Sequence, residues 1–252
     1  MSDQESFISH LIELRARLMH AAAAVLILFV ALFFYPGSGV IYDFLAAPLI
    51  SVMGPDAKLI ATGVVTPFMI PVKVTAVVAL MLALPYVLYQ AWVFVAPGLY
   101  EHEKKLAAPL IIASTLLFFA GVAFCYYFVF GKVFAFIQGF APKSISPMPD
   151  IEAYFNFVLT MFIAFGVTFE IPIVVILLVR MGVVSVAKLA DARPYVIVGA
   201  FIVAAVVTPP DVVSQFMLAV PMCILFEAGL FFARFVGTRA KEEAAKEESS
   251  AV

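Results

Sequence analysis

The chain has 252 residues, of which 65% are hydrophobic and only 13% are charged. One soluble core of this size cannot bury so much apolar surface, so the composition predicts a membrane protein. The formal net charge is -2, and no basic stripe is interleaved with aromatic residues, which argues against a nucleic-acid partner.

Six apolar segments predict an all-α polytopic membrane protein. A helix that crosses the hydrocarbon core needs roughly 20 apolar residues, because each residue adds about 1.5 Å. The fifth segment has about 14 residues, or about 21 Å of helix, and we expect the fifth and sixth spans to be short. The six segments are Leu18–Tyr35, Val74–Ala96, Leu106–Phe130, Ala153–Val179, Pro194–Val207 and Val212–Ala233.

The distribution of lysine and arginine predicts that both termini are cytoplasmic. Inner loops carry the excess of these residues in membrane proteins. With the N-terminus inside, eleven of the fifteen basic residues lie on the inner side and four on the outer side. The outer four are Lys58, Lys73, Lys132 and Lys143.

Composition also divides the chain into three predicted parts. Residues 1–17 form a cytoplasmic amphipathic segment, 18–233 a six-helix transmembrane domain, and 234–252 a charged, flexible cytoplasmic tail. Outer loops 36–72 and 131–152 hold apolar stretches between Pro and Gly residues, which indicates short helices that cap the bundle. Frequent prolines in and near the spans favour a concave bundle, and no internal repeat is evident.

Catalytic and metal-binding motifs are not found in this sequence. The stretch "HEKKL" begins like a zinc-protease helix, but Leu106 stands where the second histidine belongs. His10, His20 and His102 do not have metal-ligand spacing. We therefore expect no cofactor, no metal and no enzymatic activity.

Two acidic residues near predicted inner membrane ends have two interpretations. In "HLIELRARL", Glu13 and Arg17 lie four apart, on the same side of a helix. Glu103 lies in "APGLYEHEKKLAAP", an inner turn. Both carboxylates belong either to ordinary solvated surface pairs or to a receptor for a cation, since a carboxylate at a low-dielectric rim holds a guanidinium through two hydrogen bonds.

Three other acids lie within or beside the predicted spans. Glu170, in "FGVTFEIP", is deep in span four, where it is either a protonated hydrogen-bonding group or a polar site used in transport or partner contact. Glu227 lies near Arg234 and is expected to snorkel. Asp211, after two prolines, is placed to cap the N-terminus of span six.

Several motifs, in order along the chain, resemble the TatC family, the multispanning receptor subunit of the twin-arginine protein translocase. These motifs are "HLIELRARL", "APL" at 47–49, "FVAPGLYEHEKK", "FGVTFEIP", "RPYVIVGAF" and "TPPD". The resemblance extends from about residue 7 to residue 234, and the motifs alternate correctly with the six spans. Each motif alone is weak, but the ordered set is specific.

The resemblance implies a receptor for leader peptides that carry paired arginines on proteins already folded in the cytoplasm. It assigns signal-peptide binding to Glu13, Arg17, Phe94 and Glu103. It also implies a bacterial cytoplasmic (inner) membrane location, the single-span partners TatB and TatA, assembly into larger complexes, and energy from the proton gradient.

The same resemblance marks other positions along the chain. Pro48 and Asp211 match functionally sensitive positions, and Glu170 matches a buried acidic position of the family. Thr208 and Gln215, with Ser214, are our candidates for part of a partner-docking surface. The family often has arginine after the loop glutamate, whereas this chain has Lys104, which weakens the case for a bidentate role there.

A second function remains open from the residues alone. A proton-coupled small-solute transporter could use Glu170 as its proton carrier. The lack of a repeat, the single deeply buried acid and the short fifth span argue against it.

Overall fold

The computed structural model describes residues 2–54, 58–95, 107–140, 142 and 148–250. These residues contain ten α-helices and no β-strand. A kink at Phe33–Gly37 joins α1 to α2, and a π-helical turn, Cys125–Val129, joins α4 to α5. The helices are α1 Ser2–Leu32, α2 Ser38–Met53, α3 Thr66–Val95, α4 Ala107–Phe124, α5 Phe130–Gly139, α6 Ile151–Phe169, α7 Ile171–Arg180, α8 Val186–Asp191, α9 Arg193–Val207 and α10 Val212–Ser250.

The all-helical, six-span fold is confirmed. Five stretches of the described residues are long and apolar enough to cross a membrane, and the shorter apolar helix α9 adds the sixth. The prediction of a short sixth span is wrong, because the apolar part of α10, Val212–Phe235, has 24 residues. The other four long stretches are Leu11–Met53, Thr66–Ala91, Ala108–Gly139 and Ile151–Arg180.

Helix boundaries differ from the predicted segments mainly at the chain ends. Helix α1 is continuous from Ser2, so the N-terminal segment and the first span share one helix. Helix α10 continues to Ser250, beyond the last apolar turn. The flexibility of residues 234–252 and the division of the chain into three parts stay predictions, although this stretch is helical as far as Ser250.

The described residues fall into two compact units, each with its own packing. The first comprises 1–115 and 143–159, and the second comprises 116–142 and 160–252. The divisions fall inside α4 and α6, so both helices contribute to both units.

In the first unit, the loop after span one folds into the helix α2, as predicted for a cap. Extended backbone at Tyr35 (φ -144°, ψ 122°) separates α2 from α1. The hydroxyl of Tyr154 donates a hydrogen bond to the carbonyl of Leu45 over 2.8 Å, and the rings of Tyr42 and Phe155 have centroids 4.7 Å apart. These contacts fasten α2 to the start of α6.

In the second unit, α7 packs on α10. Gly229 allows this contact, because a Cβ there would lie 2.9 Å from the Cα of Pro172. Small residues that let helix backbones approach are typical of membrane interfaces. The buried centre of this contact is Val175, Phe226, Leu230 and Ala233.

Candidate functional site

The predicted pair at the start of span one is present, and a third residue joins it. Arg17 Nη2 lies 3.3 Å from Glu13 Oε1, which confirms that the two side chains share one side of α1. Arg17 Nη1 donates to Gln90 Oε1 of α3, also over 3.3 Å. Gln90 is buried, with 5% of its surface exposed, whereas the side chains of Arg17 and Glu13 are 31% and 34% exposed.

The contacts among Glu13, Arg17 and Gln90 orient the two charged side chains but add little to the stability of the fold. Ion pairs that remain this accessible to solvent contribute at most about 1 kcal/mol. The guanidinium is planar, however, and its two terminal nitrogens reach two acceptors on different helices. Arg17 therefore holds the Glu13 carboxylate in a defined position in the N-terminal half of α1, near the start of the first apolar stretch.

Two other predicted binding residues belong to the segment that follows Gln90. Phe94 is half-buried and lies one helical turn after Gln90 on α3. Glu103 and its neighbour Lys104 lie outside the described residues.

The polar residues predicted around span six lie in the turn between α9 and α10 and in the first turn of α10. Asp211 Oδ1 accepts a hydrogen bond from the backbone N–H of Ser214 over 2.7 Å, the N-cap geometry expected for α10. The buried hydroxyl of Thr208 donates to the carbonyl of Ala204 over 2.8 Å and closes α9. Gln215 donates its backbone N–H to the carbonyl of Asp211.

That turn also holds buried polar atoms whose hydrogen-bonding capacity is unused. Asp211 Oδ2 and Ser214 Oγ are buried and have no hydrogen-bond partner in the part of the chain that the structure describes. Buried polar atoms without partners are rare in folded proteins and need an explanation such as water or a second molecule.

Glu170 and Pro48 stand apart from both groups. Glu170 is half-buried at the break between α6 and α7, two residues before Pro172, so span four is a broken helix. The carbonyl of Glu170 accepts the N–H of Val174. Pro48 is half-buried inside α2, and its carbonyl accepts the hydroxyl of Ser51 over 2.9 Å.

Sequence reasoning missed three polar contacts. Gln90 was overlooked because a lone glutamine in an apolar helix carries no motif. Glu227 forms a two-pronged pair with Arg193, 34 positions away, with distances of 2.6 and 2.8 Å, in addition to its expected proximity to Arg234. The sequence "RP" indicates a cation, Arg193, at the start of α9, but it does not indicate that Glu227 is the partner.

The third missed contact is built on Asp150, just before α6. Its Oδ1 accepts the N–H groups of Glu152 and Ala153, and its Oδ2 accepts the N–H and hydroxyl of Thr62. These hydrogen bonds, the one from Ala153 first, hold the pKa of Asp150 below its ordinary value. A backbone bridge with Ile60 runs alongside, so Asp150 ties the segment before α3 to the start of α6.

The fold and the Glu13 group define a class: a multispanning helical membrane protein with an ion-paired carboxylate near the start of its first apolar stretch. A model of the family described as "Sec-independent protein translocase protein (TatC)" matches residues 9–221. This chain belongs to the TatC family. It is therefore a multi-pass membrane protein of a translocase receptor family and not an enzyme.

Known relatives match along almost the whole chain. The Sec-independent protein translocase protein TatC of Haemophilus influenzae is 48% identical over 246 residues, which cover 98% of this chain and 95% of the relative. The protein of the same name from Escherichia coli K12 is 46% identical and covers 93% and 90% respectively. A solved structure, "Crystal Structure of Twin Arginine Translocase Receptor- TatC", superposes with a TM-score of 0.77 at 36% identity over 90% of this chain and 98% of that one.

Proposed function

We propose that this chain is the receptor subunit of a twin-arginine translocase and that it binds paired-arginine leader peptides through Glu13 and Glu103. The observation that carries the proposal is the Glu13 carboxylate, which is paired with Arg17 in the N-terminal half of α1, while the buried Gln90 binds Arg17 in turn. The solved relative named as a twin-arginine translocase receptor supports it.

Capture depends on the shape of the ligand as well as its charge. A guanidinium offers two parallel N–H groups to a carboxylate, whereas a lysine ammonium is a point charge that cannot form this fork. Two carboxylates on one face suit two adjacent arginines. The apolar part of the leader then lies along the helices, with Phe94 beside the entry.

Partner subunits complete the translocation site in this proposal. Thr208 and Gln215, at the turn between α9 and α10, form part of the docking surface for the single-span subunits TatB and TatA. The unused hydrogen-bonding capacity of Asp211 and Ser214 in the same turn supports a polar partner there. Several copies assemble in the bacterial inner membrane, with both termini cytoplasmic, and the proton gradient drives transport.

Glu170 has a place in the same scheme. It lies at a helix break inside a membrane span, where polar groups are commonly functional. We propose that it acts as an intramembrane polar site of the receptor. Apart from that break, the residues that the structure describes offer no observation that favours a small-solute transporter.

Photocrosslinking tests the capture site in native membranes. With a photoreactive residue at Tyr100, we expect a twin-arginine peptide to crosslink and a twin-lysine peptide to crosslink at least about ten-fold less, since each charge-assisted bond is worth about 1.5–3 kcal/mol. Glu13→Gln and Glu103→Gln should each reduce the arginine signal, and Glu152→Gln, which removes an exposed acid elsewhere, should not. Equal crosslinking of the two peptides would contradict the capture proposal.

A further inference from the structure

The Glu13 site already contains a cation that belongs to the chain itself. Arg17 pairs with the carboxylate proposed to receive a guanidinium from another protein. Because like charges repel, Arg17 is a poor direct ligand for an arginine-bearing peptide. Its position therefore needs another explanation.

The geometry shows how an incoming ligand can displace Arg17 from the Glu13 carboxylate. Its bond to Glu13 is 3.3 Å long, whereas strong guanidinium–carboxylate bonds are about 2.7–2.9 Å and are often bidentate. Only one of the two Glu13 oxygens, Oε1, has a partner among the described residues, and that partner is Arg17. An incoming guanidinium that binds both Glu13 oxygens would form a stronger pair than Arg17 does.

Gln90 is a second hydrogen-bond partner of Arg17, and this bond does not depend on Glu13. It belongs to α3, not to α1, and it binds a different nitrogen of the guanidinium from the one that contacts Glu13. Gln90 is 5% exposed, so its side chain is held by its surroundings. Arg17 can thus lose its contact with Glu13 while Gln90 keeps it in place.

We propose that Arg17 is an internal stand-in for the leader peptide: it occupies the Glu13 carboxylate in the empty receptor, is displaced by an incoming guanidinium, and is retained by Gln90. This inference rests on the proposed function of Glu13. Arg17 and Gln90 are positioning residues in this scheme. Every cationic ligand of Glu13 must displace Arg17, so each binds less tightly than it would to an unpaired Glu13 carboxylate.

The scheme makes opposite predictions for the two positioning residues. Arg17→Gln removes the competitor and should tighten peptide binding by about two- to five-fold, the range expected for a partly exposed ion pair. The cost of displacement is the same for every ligand, so twin-arginine and twin-lysine peptides should gain equally. Gln90→Leu frees Arg17 to pair fully with Glu13 and should weaken binding by a similar factor.

A double-mutant cycle on the full chain in lipid nanodiscs tests this scheme. Fluorescence anisotropy gives the Kd of a synthetic twin-arginine leader peptide and of its twin-lysine counterpart for wild type, Arg17→Gln, Gln90→Leu and the double variant. We expect Gln90→Leu to weaken binding only when Arg17 is present, which is a non-additive result. Lys188→Gln makes the same charge change at an exposed residue and should leave both Kd values unchanged.

Each other outcome has a defined meaning. If Arg17→Gln weakens binding or leaves it unchanged, or if Gln90→Leu has the same effect in both backgrounds, the stand-in inference is wrong. Glu13→Gln is measured in parallel, and if it leaves twin-arginine binding unchanged, the proposed function of Glu13 itself fails. Thermal unfolding of each variant identifies any that is misfolded. If only Arg17→Gln is folded, the direction of its change in Kd still tests whether Arg17 competes with the peptide.

Discussion

At the scale of single residues, Asp150 concentrates four hydrogen bonds on one carboxylate. It caps α6 through Glu152 and Ala153 and holds Thr62 on the other oxygen. Since these bonds favour the ionised form, the pKa of Asp150 is lower in the folded chain than in the unfolded one. Its contribution to stability is complete above the ordinary pKa of 3.8 and is lost as the pH falls through the lower, folded value.

We therefore expect acid to release the segment around Thr62 from the start of α6. Hydrogen exchange at the Thr62 and Ala153 amides, corrected for its intrinsic pH dependence, should accelerate as the pH falls below about 3.8. In Asp150→Asn, which cannot ionise, the same amides should be less protected at neutral pH and should show no such transition. Constant protection in the wild-type chain down to pH 2 would contradict this account.

Single residues also show which contacts can be predicted from sequence. "TPPD" predicts a helix cap because the two prolines end one helix and Asp211 begins the next, and the structure has this cap. Glu13 and Arg17 are likewise four apart in sequence. Gln90 and Thr62 contact residues 73 and 88 positions away, and sequence spacing carries no information about such distant partners.

At the scale of elements, two glycines set how closely α4 and α6 approach in the second unit. A Cβ on Gly121 would lie 2.5 Å from the carbonyl oxygen of Phe165, and one on Gly166 would overlap the ring of Phe118. The sequence predicts both helices from their apolar length. It does not distinguish these glycines from others in the spans, because the close approach depends on the partner helix.

Alanine at position 121 should therefore destabilise the fold. The backbone of α6 must shift, and overpacking of this kind costs about 1–3 kcal/mol. Gly131→Ala is the matched control, since a Cβ there meets nothing within 4 Å and alanine favours a helix by about 0.5–1 kcal/mol. Thermal unfolding in detergent should show a lower Tm for Gly121→Ala and an unchanged or higher Tm for Gly131→Ala. An equal Tm for both variants would contradict the packing account.

Span ends were harder to predict than span number. Apolar length predicts six spans, because each membrane crossing needs a fixed length of helix. The charged tail carries no apolar period, yet α10 continues through it to Ser250. The break at Glu170 follows from Pro172, whose missing N–H favours a helix start.

At the scale of the whole molecule, the proposed function requires one particular orientation in the membrane. The charge distribution predicts it, since eleven of fifteen basic residues lie on the side assigned to the cytoplasm. Glu13 can meet leader peptides of cytoplasmic proteins only if the start of α1 lies on that side. Orientation therefore tests the capture proposal independently of any binding measurement.

Thiol labelling of intact spheroplasts measures this orientation. In a background with Cys125→Ala and Cys223→Ala, single cysteines replace Leu11 near Glu13, Lys188 in α8 or Val64 before α3, all of them exposed. An impermeant maleimide should label only the Val64→Cys variant in intact spheroplasts, and all three after the membrane is opened. Labelling of Leu11→Cys from outside would place Glu13 on the far side of the membrane from its ligand. A receptor for leader peptides of cytoplasmic proteins could not function in that orientation, whatever the affinity of its carboxylates.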